Sequence, residues 1–220
     1  LKKIIDSISP AGVNLDIYEG PIGVSCSGGA DSSILLYHLM REVTDKIYIF
    51  STGNNQRSRY NVTAATRVVE KLIQLTGNSN IEHHLSYCEI QTREELFPKL
   101  AFYLDNKVTN IIYTGITSNP PKEVSDTFKL EITENNRAPG EKDLLHRDGT
   151  FYTPWFNVDK RKIAEMYKEA DLLDVLYPLT RSCEYDPTSS FFDNIEDPGM
   201  GHCGSCWWCE ERNWAFGRLQ

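Results

Sequence analysis

The stretch that decides the fold is Ser25-Cys26-Ser27-Gly28-Gly29-Ala30-Asp31-Ser32-Ser33. It follows the short β-rich run Pro21–Ser25 and leads into an amphipathic stretch, Asp31–Glu42, so it reads as a strand, a tight turn and a helix start. Gly28 and Gly29 permit the turn and let a ligand come close to the backbone. The following helix offers unpaired N–H groups and the positive end of its dipole, which together favour an anion. Ser27 and Ser32 add hydroxyl donors. No lysine follows the glycines and the spacing is too short, so the loop is not of the Walker A type. Two glycines before a Ser/Asp-rich helix start are also compatible with a plain capped helix. The preceding strand and the doubled serines favour phosphate, with Ser25, Ser27, Gly28, Gly29, Ala30, Asp31 and Ser32 as the binding residues.

Working outward, short β-rich runs alternate with longer amphipathic ones, the signature of a parallel sheet covered by helices. Five strands are expected, at Pro21–Ser25, Lys46–Ser51, Glu82–Ser86, Asn110–Thr114 and Phe151–Trp155. Helices are expected at Asp31–Glu42, Tyr60–Leu75, Glu94–Asn106 and Asp159–Ala170, with a weaker one at Lys2–Ser9. In the second, Val62, Ala65, Val69, Leu72 and Ile73 recur at helical spacing and Gly77 stands just past the end as a stop. The fold class is therefore α/β, a doubly wound, mostly parallel five-stranded sheet. Residues 1–178 form a phosphate-binding α/β domain in this reading, and residues 179–220 a small metal-stapled tail. From Ser118 to Thr150 the pattern dissolves into a polar segment with Pro120, Pro121, Pro139 and Gly140, which in a compact domain reads as a lid or a disordered stretch.

Composition narrows the function. Among 220 residues, 31 acidic against 23 basic side chains leave a net charge of −8, the wrong sign for gripping nucleic-acid backbones by bulk charge. No stretch approaches the ~18 apolar residues needed to span a bilayer, and no signal peptide is evident, so no membrane partner is expected. Of the six cysteines, Cys26 and Cys88 are scattered, while Cys183, Cys203, Cys206 and Cys209 crowd the last quarter. Such spacing in a reducing, cytoplasmic compartment reads as metal binding rather than disulfides. Cys203-Gly-Ser-Cys206-Trp-Trp-Cys209 repeats a C-x-x-C knuckle and Cys183 completes four thiolates, a closed sphere suited to structural Zn²⁺. His202 is a spare ligand, and an iron–sulfur cluster is the rival chemistry.

Other residues join the loop. A carboxylate at the mouth of a phosphate site, Asp31, is repelled by the ligand unless a cation joins them, which points to Mg²⁺; a simple helix cap is the alternative. The second strand ends at Phe50-Ser51, where a doubly wound fold holds an adenosine against backbone groups. Gly115 ends the fourth strand and permits either close approach of a ligand or a plain turn.

Ser27-Gly28-Gly29-Ala30-Asp31-Ser32 resembles the SGGxDS loop of the PP-loop ATP pyrophosphatases of the adenine nucleotide α-hydrolase superfamily. That resemblance implies ATP with its pyrophosphate on the loop and an acceptor oxygen that attacks the α-phosphorus. It also singles out Lys160, at the start of the helix after the proline-bearing fifth strand (Pro154), ahead of Lys162, so that Asp31 and Lys160 become the catalytic pair. The tail, Ser182-Cys183 and then Cys203-Gly204-Ser205-Cys206-Trp207-Trp208-Cys209-Glu210-Glu211-Arg212 to Ala215-Phe216, resembles the zinc motif of the 7-cyano-7-deazaguanine synthases. Gln56 and Arg57 are similar to part of those enzymes' Tyr-Gly-Gln-Arg stretch. Their Tyr-Pro-Asp-Cys-Arg segment is replaced here by Ser118-Asn119-Pro120-Pro121-Lys122, and Arg93-Glu94-Glu95 stands where their Pro-Gly-Arg-Asn turn is expected. The resemblance implies an ATP-dependent ligase that activates a deazapurine-like acid for ammonia or another amine, and a homodimer. A tRNA-thiolation enzyme and a nucleotide sensor without an acceptor site are the alternatives.

Overall fold

The N-terminal residues do not make the helix expected at Lys2–Ser9. In the computed structural model, which describes residues 3–54, 60–88, 92–128, 137–183 and 201–220, strand β1 (Ile4–Ile8) pairs antiparallel with β2 (Leu15–Tyr18). The apolar residues of β1 are β-branched, which suits a pleated strand, and their pairing partners lie on a separate segment downstream, Ile4 opposite Tyr18 and Ile8 opposite Leu15, out of reach of a local periodicity. Leu15 and Ile17 are buried, and the hairpin is tied to the main sheet by the Tyr18 N–H donating to the Tyr113 hydroxyl (3.0 Å) and the Tyr113 hydroxyl donating to the Asp16 carbonyl (3.0 Å).

The main sheet contains β3 (Ile22–Ser25), β4 (Ile47–Asn54), β5 (Ile81–Cys88), β6 (Ile111–Thr114), β7 (Leu145–His146) and β8 (Phe151–Tyr152), in the order β5-β4-β3-β6-β8-β7. The five expected strands are its five parallel members. The sixth, β7, runs antiparallel to β8 at one edge and is two residues long, too short to give a period. The chain runs outward from β3 through β4 to β5, then returns to place β6 on the other side of β3. The strand order therefore reverses between β3 and β6, and in such sheets ligands bind at the carboxyl ends of the strands flanking that point.

Helices α1 (Ala30–Glu42), α2 (Asn61–Thr76) and α5 (Lys160–Glu169) cover one face. Ile34, Leu35, Leu36 and Leu39 of α1 pack with Val68, Val69 and Leu72 of α2 and Ile163, Met166 and Tyr167 of α5 over Val24, Ile49 and Tyr113 of the sheet. Helix α3 (Thr92–Asp105) covers the opposite face, where Leu100 meets Phe50, Ile112 and Phe151. Helix α2 stops where the sequence places its stop: Gly77 adopts a left-handed φ of 71° and its N–H donates to the Ile73 carbonyl (2.9 Å).

Within the polar segment after β6 the described residues form a single helical turn, α4 (Lys122–Ser125), and the β7–β8 hairpin. The tail carries a helix that local periodicity does not announce, α6 (Trp207–Phe216). It docks against the main body through Phe216, which stacks on Tyr177 at 4.1 Å, and through Arg212, whose guanidinium lies 3.9 Å above the Tyr177 ring. Arg212 is fully buried and donates to the carbonyls of Leu219 (2.7 Å), Tyr177 (3.1 Å) and Thr180 (3.3 Å), so its five-donor fork closes the chain end onto the domain. Among the described residues no helix is long and apolar enough to cross a membrane.

Candidate functional site

Strand β3 ends at the reversal of strand order and hands the chain directly to the glycine loop. The Cys26 N–H donates to the Phe50 carbonyl (2.9 Å), extending the β3–β4 ladder by one residue, and the Ser51 hydroxyl donates to the Cys26 carbonyl (2.6 Å). Beyond it the loop is shaped by its own serines. Ser32 Oγ lies 3.2 Å from the Ser27 N–H and donates to the Gly29 carbonyl (3.3 Å), while the Gly29 N–H donates to Ser27 Oγ (3.3 Å). Gly28 has φ 77°, and a Cβ there would stand 2.5 Å from the Ala65 backbone nitrogen, so α2 presses on the loop as only glycine permits. The N–H groups of Ala30, Asp31 and Ser32 head α1 without intrahelical acceptors. A pre-shaped loop leading into a helix start whose first N–H groups lack intrahelical acceptors can hold an anion, phosphate foremost.

Cys26 lies beneath this loop with no exposed surface, and burial pushes its thiol above the ordinary range, leaving it a packed thiol rather than a nucleophile.

Four charges meet beside the loop. Lys160 is the first residue of α5, after the Asp159 cap whose carboxylate accepts from the Arg161 N–H (2.9 Å), so its side chain points back toward the strand ends. Its Nζ stands 3.3 Å from Asp31 Oδ2 and 2.8 Å from Glu211 Oε2. Glu211 Oε1 in turn takes Arg137 Nη2 at 2.5 Å. Lys160 and Glu211 are both buried. Burial raises the Asp31 carboxyl above its ordinary value, Lys160 opposes that and Glu211 adds to it. For Glu211 burial works in the same direction, yet Lys160 and Arg137 together outweigh it and hold the carboxyl below the ordinary range. Lys162, by contrast, reaches outward to the exposed Glu165.

Arg137 is held in place by the Thr117 carbonyl (2.8 Å), the Thr117 hydroxyl (3.1 Å) and the Ser118 carbonyl (3.3 Å), over the Trp207 ring. Asp31 Oδ1 is buried and has no hydrogen-bond partner, an orphaned acceptor of the kind a cation fits. Magnesium fits this donor set: the Asp31 carboxylate would hold it, with phosphate oxygens as further hard ligands.

The adenosine-side candidates are already engaged within the protein. Phe50 is buried under α3 and its carbonyl already serves Cys26; Ser51 Oγ also lies 2.8 Å from His83 Nε2. Gly115 is approached by helix α1, not by open space: a Cβ would stand 2.7 Å from the backbone N and Cα of Ser32. Gln56 and Arg57 lie outside the described residues, as do the side chains of Arg93, Glu94 and Glu95.

At the other end of α6, the Sγ atoms of Cys183, Cys203, Cys206 and Cys209 lie within 4.8 Å of one another. Cys203 and Cys209 are 3.9 Å apart and Cys206 and Cys183 4.0 Å. A zinc–sulfur bond of about 2.3 Å in a regular tetrahedron sets sulfurs about 3.8 Å apart, so the cage matches one small ion. A cuboidal iron–sulfur core would hold its thiolates on a larger tetrahedron. Left to themselves the crowded thiols are pushed upward in pKa, Cys183 contributing most to both Cys206 and Cys209; a cation reverses that cost. His202 stands beside the cage rather than in it. Both its ring nitrogens are buried without hydrogen-bond partners, and burial, with Arg212 second, lowers its pKa to about 3.

Cage and loop share a wall. The Arg181 N–H donates to the Gly28 carbonyl (2.8 Å), and a Cβ on Gly29 would stand 3.6 Å from the Arg181 carbonyl oxygen. Sequence reasoning does not single out Arg137, Arg181 or Glu211. A helix capped by Cys206 is the missing signal for Glu211, since it turns a charged pair in a polar-looking tail into one charge facing the body. Arg137 carries no local signal at all.

No family model matches the chain, and no curated protein does. Among solved structures it is similar to the NMN synthetase from Francisella tularensis (15% identity, 90% of this chain and 77% of that one, TM-score 0.42). It is also similar to the NH3-dependent NAD synthetase from Campylobacter jejuni (15% identity, 91% and 88%, TM-score 0.43). A third is the U34-tRNA thiolase NcsA from Methanococcus maripaludis with its [4Fe-4S] cluster (12% identity, 90% and 70%, TM-score 0.44). Likenesses at these identities and scores carry no argument about activity or substrate.

Proposed function

We propose that the chain is a PP-loop ATP pyrophosphatase acting as an ATP-dependent ligase of the 7-cyano-7-deazaguanine synthase type. Its acceptor is a carboxylate, 7-carboxy-7-deazaguanine or a related acid, and its second substrate is ammonia or another amine. The observation that carries the reading is the serine-lined glycine loop at the strand-order reversal with Lys160 Nζ 3.3 Å from Asp31 beside it. A phosphate cradle, a buried cation and an orphaned carboxylate oxygen together suit a metal-assisted polyphosphate.

In this reading the N–H groups of Ala30, Asp31 and Ser32 at the head of α1 hold the leaving pyrophosphate and Lys160 offsets the charge that develops on it. A carboxylate oxygen of the acceptor attacks the α-phosphorus, the bond to pyrophosphate breaks, and an acyl adenylate forms. Ammonia then attacks the acyl carbon and AMP departs, leaving an amide and a proton. Adenylylation of the amide oxygen by a second ATP releases a second pyrophosphate, and loss of AMP together with the two amide protons gives a nitrile. The residues have little covalent work in this sequence; they act by positioning and electrostatics. Asp31 holds Mg²⁺, which supplies further charge neutralisation at the phosphates. Cys183, Cys203, Cys206 and Cys209 would hold Zn²⁺, and four thiolate ligands would give that ion a structural rather than a catalytic role.

Incubation with ATP, Mg²⁺, ammonium and 7-carboxy-7-deazaguanine tests the reading. AMP and pyrophosphate should form only with the acid present. Tight ATP binding without turnover on any acid would instead favour a nucleotide sensor.

A further inference from the structure

We propose that Glu211 is a positioning residue for the nucleotide site, holding Lys160 and Arg137 in place from the helix that the cysteine cage begins; this rests on the functional reading above. The side chain has no exposed surface, and each of its oxygens takes one cation, Oε2 the Lys160 ammonium at 2.8 Å and Oε1 the Arg137 guanidinium at 2.5 Å. A buried ion set of this kind adds little to stability compared with apolar side chains of similar shape, so its cost asks for another role. Geometry supplies one. Lys160 has two carboxylates in reach, and Asp31, at 3.3 Å, is the more distant. Glu211 keeps the ammonium from closing onto Asp31, which leaves Asp31 Oδ1 unpartnered for a cation and the lysine between loop and helix α6.

Arg137 is fixed by the same carboxylate, so the segment beyond β6 is docked by it too. The Arg137 carbonyl accepts from the Asn119 N–H (2.7 Å), and the guanidinium spans the Thr117 and Ser118 carbonyls. The anchor of Glu211 is the cage itself: Cys206 caps α6 and Cys209 lies in its first turn. One short helix therefore joins the four thiolates to the cation at the phosphate loop.

The test is a double-mutant cycle read by calorimetric binding of MgATP, with metal content and thermal melting measured on every variant. Glu211→Gln keeps the shape and removes the charge, and should weaken MgATP binding about tenfold while the metal content stays that of the wild type. Lys160→Met with Glu211→Gln removes one base and one acid, leaving Asp31 and Arg137 balanced, so it folds even where the single variant is poorly stable. Because part of the role of Glu211 runs through Lys160, the losses should be less than additive: adding Glu211→Gln to Lys160→Met should weaken MgATP binding by much less than tenfold. Labelling supplies a readout without nucleotide: acetic anhydride should modify Lys160 several-fold faster in Glu211→Gln than in the wild type. Unchanged labelling, or losses that add in full across the cycle, would overturn the role of Glu211 while leaving ATP use intact. A wild-type chain that binds no MgATP overturns the functional reading, and this role with it.

Discussion

Helix α1 rests on Gly115 closely enough that one methyl group should separate folding from function. A Cβ at Gly115 would stand 2.7 Å from both N and Cα of Ser32 and 2.9 Å from the Asp31 carbonyl carbon, all backbone atoms that no rotamer change can move. Ordinary carbon contacts lie near 3.5–4.0 Å, so the start of α1 must shift away from β6 by about 1 Å. Overpacking of this kind costs about 1–3 kcal/mol. In a chain of this size, with roughly 2–4 °C of melting temperature per kcal/mol, Gly115→Ala should melt about 4–8 °C lower for a cost near 2 kcal/mol. The displaced turn is the one whose N–H groups would meet the phosphates on the proposed reading, and a misplacement of about 1 Å can cost up to a hundredfold in turnover. Gly77→Ala is the control. Nothing lies within 4 Å of its Cβ, and its left-handed φ of 71° alone makes alanine unfavourable, at about 1–2 kcal/mol. It should lose a comparable share of melting temperature and none of its MgATP affinity. A Gly115→Ala chain that binds MgATP like the wild type would refute the reasoning, because the loop would then tolerate a shift in the helix that carries it.

Lys160→Ala should abolish AMP formation while Lys162→Ala stays active, since only the first reaches the loop; an active Lys160→Ala enzyme would remove that lysine from the chemistry. Metal analysis should find about one zinc per chain and no colour, and Cys209→Ser should lose most of the metal and melt lower; a brown, iron-containing protein would contradict the single-ion cage. His38 is buried in α1 with Nε2 unpartnered, and burial, aided by Arg41, lowers its pKa from 6.5 to about 4. The unfolded chain thus takes up the proton first, and stability present above pH 6.5 drains away as pH falls toward 4, by about 3 kcal/mol. His38→Leu should show a smaller fall in melting temperature between pH 7 and 4 than the wild type, and an equal fall would sink the assignment.

The parallel sheet is readable from the chain because its signals are local. Ile22–Ser25, Ile47–Asn54, Ile81–Cys88 and Ile111–Thr114 are runs long or apolar enough to stand out, and Gly77 announces the end of α2. What escapes depends on contacts far apart in sequence. The Ile4–Ile8 strand needs Leu15–Tyr18 to pair with, and the same spacing of isoleucines serves a helix equally well until that partner is placed. The site divides the same way. Loop and cysteines sit in recognisable local patterns and Lys160 is singled out by family resemblance alone, whereas Arg137 and Glu211 are 74 residues apart and meet only on folding.

A net charge of −8 therefore says little about this site, because the charges that matter are few and buried. Beside the loop, Lys160 and Arg137 face Asp31 and Glu211, so the group is balanced before any phosphate arrives. A bare polyphosphate entering such a site meets two carboxylates as well as two cations. The fixed N–H groups of the loop carry no opposing charge, which makes them the part of the site that favours an anion outright. A divalent cation on Asp31 would turn the remaining repulsion into a bridge. On the proposed reading such a site would discriminate between a free nucleotide and its metal complex, because an acid from the tail shares the lysine with an acid from the loop.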